Sequence, residues 1–146
     1  MSYETLNPEE TRARLDGDGG WTYVDVRTPE EFARGHVPGA YNIPAFFPGP
    51  MGMMPNPEFP GAVSAHFAAD RALVMGCAAG GRSMHACEQL SGAGYTQLIN
   101  MDGGFTGRPD PTGGPGVPGW QERGFPVADT CEEGRDWESL KGAGAE

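Results

Sequence analysis

A chain of 146 residues with a net charge of −10 and ten basic residues offers no basic face for phosphate, which excludes nucleic acid as an expected partner. It contains no apolar run of about 18 residues, and Met1 to Asn7 carry neither a basic region nor an apolar core. We therefore expect no membrane span and no secretory signal. Three cysteines cannot all pair, and nothing in their spacing reads as a disulfide framework, so a reducing, cytoplasmic setting is expected. The length suits one domain with its own core.

In chain order, Asn7-Pro8-Glu9-Glu10 starts a helix: Asn7 caps, Pro8 takes the first helical position and Glu10 completes a capping box. That helix ends by Asp16-Gly17-Asp18-Gly19-Gly20. Trp21 to Val26 is rich in β-formers and reads as a strand. Thr28-Pro29-Glu30-Glu31 repeats the capping pattern, and Gly35 stops the short helix that follows. Ala40 to Ile43 is a short strand before Pro44. Pro57 to Ala68 reads as a helix with Val63 and Phe67 on one face and Pro60 in its first turn. Ala72 to Met75 is a buried strand, Ser83 to Ala93 a helix with Gly94 at its C-cap, and Thr96 to Met101 another strand. Trp120 to Arg123 allows one helical turn before Gly124.

The 24 glycines and 14 prolines come near the level that signals disorder, but they concentrate in two long loops, 44–61 and 103–119. Strands alternating with helices elsewhere imply an α/β fold with a mostly parallel sheet flanked by helices on both faces. Sites in such sheets lie at the carboxyl ends of the strands. Cys77 falls at one of those ends.

Cys77-Ala78-Ala79-Gly80-Gly81-Arg82-Ser83 joins a strand to a helix. A loop of small residues can turn its N–H groups inward as an anion cradle, and the next helix adds its positive end. Both stabilise negative charge on sulfur, and the thiolate is the reactive form. Gly80 and Gly81 permit backbone angles closed to other residues, and Ala78 and Ala79 leave the bowl open. Arg82 either ties the loop shut or binds an anion.

At this point the motifs resemble the rhodanese domain. Asp25-Val26-Arg27-Thr28-Pro29-Glu30-Glu31-Phe32, Gly35-His36-Val37-Pro38-Gly39-Ala40 and Asn42-Ile43-Pro44 are similar to its entry motif, and Cys77–Ser83 to its active-site loop. Asn100-Met101-Asp102-Gly103-Gly104, Trp120 and Gly124-Phe125-Pro126-Val127 resemble its closing motif. The match runs from Trp21 to Val127, four motifs in order. The loop around Pro55-Asn56-Pro57-Glu58-Phe59 looks like that of single-domain sulfurtransferases of bacteria and plants.

The resemblance implies a five-stranded, mostly parallel sheet. It also implies a sulfurtransferase that takes a sulfane sulfur from a donor such as thiosulfate and passes it to cyanide or a thiol, small-molecule or protein. Cys77 would carry the sulfur as a persulfide, and Ala78, Ala79, Gly80, Gly81, Arg82 and Ser83 would hold the substrate. No cofactor or metal is implied, and no cluster of ligand residues suggests a metal. The domain would span residues 1–127, with 128–146 as an acidic tail. Two departures stand out: the long insertion Phe105–Gly119 before Trp120, and the long loop Ala45–Pro60.

Alternatives stay open. A persulfide carrier or regulatory module acting with a protein partner would share the loop. A phosphatase or arsenate reductase resembles it too, but with one more residue between cysteine and arginine than the four here. Cys87, on a helical face with Met84 and Leu90, reads as core packing, and Cys131 as a tail thiol that resolves a persulfide only if it reaches Cys77. His36 reads as a structural histidine, and Asp25 with Arg27 as a structural pair. Phe46, Phe47, Met51, Met53 and Met54 form a lip over the site, a partner surface or simple loop packing. Trp137 would anchor the tail.

Overall fold

Strands buried at nearly every position, such as Leu73–Gly76 and Leu98–Met101, build one sheet that must be covered on both faces. The computed structural model describes residues 3–141. It runs β1 (Glu4–Leu6), α1 (Pro8–Asp16), β2 (Thr22–Asp25), α2 (Pro29–Arg34), β3 (Tyr41–Asn42), β4 (Phe46–Gly49), β5 (Gly52–Pro55), α3 (Phe59–His66), β6 (Leu73–Gly76), α4 (Gly81–Gly92), β7 (Leu98–Met101) and α5 (Trp137–Leu140). Five strands pair in the order β1-β7-β6-β2-β3, all parallel. Val24 lies opposite Met75 and Tyr41, and Asp25 opposite Gly76 and Asn42.

Successive side chains of a strand point to opposite faces. On one face Val24, Leu73, Met75 and Leu98 pack with Phe59 and Val63 of α3, Cys87 and Leu90 of α4, and Trp137 and Leu140 of α5. On the other, Tyr23, Val74, Ile99 and Met101 pack with Phe32, Val37, Phe105 and Trp120. This is the expected α/β architecture, a five-stranded parallel sheet with helices on both faces.

Both expected capping boxes form. Asn7 Oδ1 accepts from Glu10 N–H at 2.8 Å while Glu10 Oε1 accepts from Asn7 N–H at 3.1 Å. Thr28 and Glu31 make the same reciprocal pair at the head of α2. Pro60 sits in the first turn of α3 as anticipated.

Several elements differ from the sequence expectation. α4 begins at Gly81, two residues before Ser83, because Gly80 adopts φ +125° and turns the chain early. Its buried face is Ser83, Ala86, Cys87 and Leu90, whereas Met84 is 45% exposed and belongs to the solvent side. β1 is an unanticipated edge strand, too short to show an alternating pattern, held by pairing with β7. Loop 44–61 contains the antiparallel β4–β5 hairpin, with Phe47 opposite Met54. Pro48, Gly49, Gly52 and Pro55 hide it, since Pro and Gly argue against strands. At Trp120–Arg123 the chain makes a turn in which Arg123 N–H donates to the Gly119 carbonyl at 3.1 Å.

The acidic C-terminal segment is tied to the body. His36 and Ala128 exchange backbone bonds at 2.8 and 2.9 Å, and Asn42 N–H donates to the Arg135 carbonyl at 2.8 Å. Trp137 and Leu140 are buried, while Glu132, Glu133 and Glu138 face solvent. Among the described residues no helix is long and apolar enough to cross a membrane.

Candidate functional site

β6 is a central strand, and its last residue must be glycine. A Cβ on Gly76 would lie 1.7 Å from the Tyr23 hydroxyl oxygen of the neighbouring strand. The strand then delivers Cys77, 1% exposed, at the carboxyl end of the sheet.

The loop turns around the sulfur. Gly80 N–H donates to Cys77 Sγ at 3.1 Å and Ser83 N–H at 3.4 Å. The loop's carbonyls point the other way, into the chain that follows β7. The Cys77 carbonyl accepts from Phe105 N–H at 2.8 Å, that of Ala78 from Thr106 N–H and Thr106 Oγ1 at 2.9 Å each, and that of Ala79 from Gly103 N–H at 3.1 Å. Gly104 permits this close approach: a Cβ there would meet the Cys77 and Ala78 carbonyl oxygens at 2.5 Å, and its φ is +57°. Gly81 and Arg82 open α4, where first-turn N–H groups have no acceptor within a helix.

Ser83 is fully buried, its Oγ 2.6 Å from Asn100 Oδ1, 3.1 Å from the Gly80 carbonyl and 3.4 Å from Cys77 Sγ. Arg82 neither binds loop carbonyls nor stands free. Its Nη1 and Nη2 donate to Glu31 Oε1 and Oε2 at 2.7 and 3.0 Å. Glu31 Oε1 also accepts from Thr28 N–H and Oγ1 at 3.1 Å each. Burial opposes ionisation of Glu31, but the bonds from Arg82 and Thr28 and the guanidinium charge outweigh it and bring its carboxyl down to about 2.

Asp25 and Arg27 form the expected structural pair, both buried. Arg27 Nη2 donates to Asp25 Oδ2 and to the Gly35 carbonyl at 2.7 Å each, and its guanidinium lies 4.4 Å from the centre of the Phe105 ring. His36 is structural as read, stacked 3.9 Å from the Phe32 ring with Nδ1 2.9 Å from the Phe32 carbonyl. Burial first, then the Glu88 and Cys77 charges, push the Cys87 thiol up to about 12, in keeping with its place in the core. Cys131 is exposed, its Sγ 3.2 Å from the Glu132 carbonyl.

Of the residues singled out in the sequence, Cys77, Gly80 and Ser83 converge at the sulfur. Ala78 and Ala79 face the 103–106 chain with their carbonyls, and Arg82 leaves for α2. Sequence reasoning missed Glu31 and Asn100 as neighbours of the loop. Glu31 was legible only as a cap, since one side chain serves both tasks. Asn100 carried a signal: a polar residue in the buried strand Leu98–Met101. A cavity of about 400 Å³, lined by Trp21, Tyr41, Trp120, Arg12 and Arg135, lies along the amino-terminal part of β2 and includes no residue of the Cys77 loop. Among the described residues no group of three His, Cys, Asp or Glu could hold a metal ion.

Known proteins are similar to this chain in sequence and in fold. "Thiosulfate sulfurtransferase 16, chloroplastic" of Arabidopsis thaliana is 39% identical over 109 residues, 73% of this chain and 91% of that protein. "Protein HIGH ARSENIC CONTENT 1, mitochondrial" of the same plant is 44% identical over 87 residues, 60% of this chain and 52% of that protein, so the match spans about half its length. The crystal structure of Rv0390 from M. tuberculosis superposes with a TM-score of 0.67 at 25% identity, covering 88% of this chain and 100% of that one. The family model of the rhodanese-like domain matches residues 7–107. With the family model and these relatives in agreement, the chain belongs to the rhodanese-like domain family.

Proposed function

We propose that this chain is a sulfurtransferase that carries a sulfane sulfur as a persulfide on Cys77. The observation that supports this most is the convergence of the Gly80 and Ser83 N–H groups on Cys77 Sγ at the head of α4. The Cys77 thiolate attacks the outer sulfur of thiosulfate. A Cys77 S–S bond forms, the S–S bond of thiosulfate breaks, and sulfite leaves with the electron pair. Cyanide or a thiolate then attacks the terminal sulfur and departs as thiocyanate or a persulfide, which returns Cys77 as thiolate. Neither step needs a metal or cofactor.

Ala78 to Ser83 serve as the substrate rim through their main-chain N–H groups, which face negative charge in the donor, the persulfide and the leaving group. Ser83 Oγ adds a side-chain partner at Sγ. The three cysteines, all free, suit a reducing compartment, so a cytoplasmic setting accompanies this reading. Thiosulfate treatment is expected to add one sulfur atom to the wild type, removable by cyanide, and none to Cys77→Ser. Thiosulfate turnover by a folded Cys77→Ser protein would contradict the assignment.

One observation favours a protein thiol as the acceptor. The β4–β5 hairpin carries Met51, 89% exposed, with Met53 and Met54, and its Phe46 ring lies 5.0 Å from that of His85 on α4. Exposed methionines adapt to varied partner surfaces. Faster discharge of the persulfide by a protein thiol than by cyanide would support this; slower discharge would count against it.

A further inference from the structure

Arg82 is the one charged side chain in Cys77–Ser83. A dianionic donor approaching a thiolate needs positive charge there, yet the guanidinium is already engaged at both ends by Glu31. Glu31 cannot readily swing away, because Thr28 holds the same carboxylate through its N–H and hydroxyl. The other arginines near the loop are compensated as well. Arg27 is locked on Asp25, and Arg108 lies on Asp102, the residue whose backbone flanks Gly80, at 2.8 and 3.1 Å. The side-chain charges of these three pairs sum to zero. What remains to attract an anion is the set of main-chain N–H groups and the partial charge at the start of α4, about half a unit.

We infer that Glu31 is a specificity-determining residue: by neutralising Arg82 it tunes the Cys77 bowl to sulfur donors of low charge, monoanionic thiosulfonates or organic persulfides, over the thiosulfate dianion. This rests on the sulfurtransferase reading above. With a thiosulfonate the balance is the same as with thiosulfate. The Cys77 sulfur bonds to the terminal sulfur, the S–S bond to the sulfonyl group breaks, and a sulfinate monoanion leaves with the electron pair.

The test compares thiosulfate with benzenethiosulfonate, which differ by one charge, in the wild type, Glu31→Gln and Arg82→Met, with cyanide as acceptor. Gln at this position keeps the capping box and removes only the charge. Wild type should favour benzenethiosulfonate in kcat/KM. Glu31→Gln should lower KM for thiosulfate by roughly tenfold and for benzenethiosulfonate by roughly threefold, with kcat little changed, as expected for an added unit charge facing two charges rather than one. Arg82→Met leaves Glu31 uncompensated and should raise KM, more for thiosulfate. A donor ratio unchanged in Glu31→Gln, or an equal rise for both donors in Arg82→Met, would overturn the role of Glu31 and leave the transferase reading intact. Failure of both donors to load wild-type Cys77 would instead remove the transferase reading, and this inference with it.

Discussion

Ser83 Oγ lies 2.6 Å from Asn100 Oδ1 and 3.4 Å from Cys77 Sγ, in a place where serine and asparagine are both buried. A hydroxyl has one proton, and the shorter contact takes it. Asn100 thus governs, through Ser83, which partner Cys77 sees.

Replacing Asn100 by Ala should remove the shorter of the two oxygen acceptors of the Ser83 hydroxyl and leave the Gly80 carbonyl at 3.1 Å. The expected loss is about 0.5–1.5 kcal/mol in urea unfolding. The freed hydroxyl would also donate to Sγ and slow persulfide formation several-fold. An unchanged unfolding midpoint together with unchanged loading would refute this role. Ser83→Ala has no hydroxyl to donate and should escape this slowing, which separates a misdirected proton from the loss of Asn100 itself.

Glu31 makes stability depend on acid. Its carboxyl stands at about 2 in the fold against an ordinary value of 4.5, so the unfolded chain binds more protons between those values. The stabilisation is therefore complete above about 4.5 and lost as pH falls through 4.5 towards 2. Urea midpoints of wild type and Glu31→Gln should run parallel above pH 6 and converge in acid. Parallel curves down to pH 3 would contradict the pairing.

Two glycines separate fit from freedom. Gly104→Ala would press a methyl group onto the Cys77 and Ala78 carbonyls at 2.5 Å and hold a left-handed φ of +57°. It should destabilise by about 1–3 kcal/mol, the range for backbone strain and overpacking, and weaken persulfide loading. Gly92→Ala, in α4 with open space around it, should stabilise by about 0.5–1 kcal/mol. Thermal unfolding of both variants checks the contrast.

Trp137 is 5% exposed and shares a core with Phe59 and Val63. Its replacement by Ala should cost about 3–5 kcal/mol, as for other large buried aromatics. Residues 1–127 alone should then be less stable than the whole chain by at least that amount. Equal stability of the truncated and full chains would show that the acidic segment is dispensable for the fold.

Much of this architecture was legible because local signals agreed with the global pattern. Asn7-Pro8 and Thr28-Pro29, with Glu10 and Glu31 three residues after each cap, announced α1 and α2, and the apolar run Leu73–Met75 marked a strand buried on both faces. The hairpin Phe46–Pro55 was hidden because its pairing overrides the turn-forming tendency of its own prolines and glycines. Cys77 and its loop were legible from residue type and spacing. The Arg82–Glu31 pair was not, because its partners are 51 positions apart and meet only when α2 folds over the head of α4. Asn100 lies in the same class: its neighbour is fixed by the register of β7 against β6.

The central claim is that Cys77 carries the sulfur, and intact mass measured before and after incubation with thiosulfate tests it most directly. Wild type should gain one sulfur atom and lose it on adding cyanide, with thiocyanate released, while Cys77→Ser should gain none. A sulfur adduct retained by Cys77→Ser, on Cys87 or Cys131, would contradict the account.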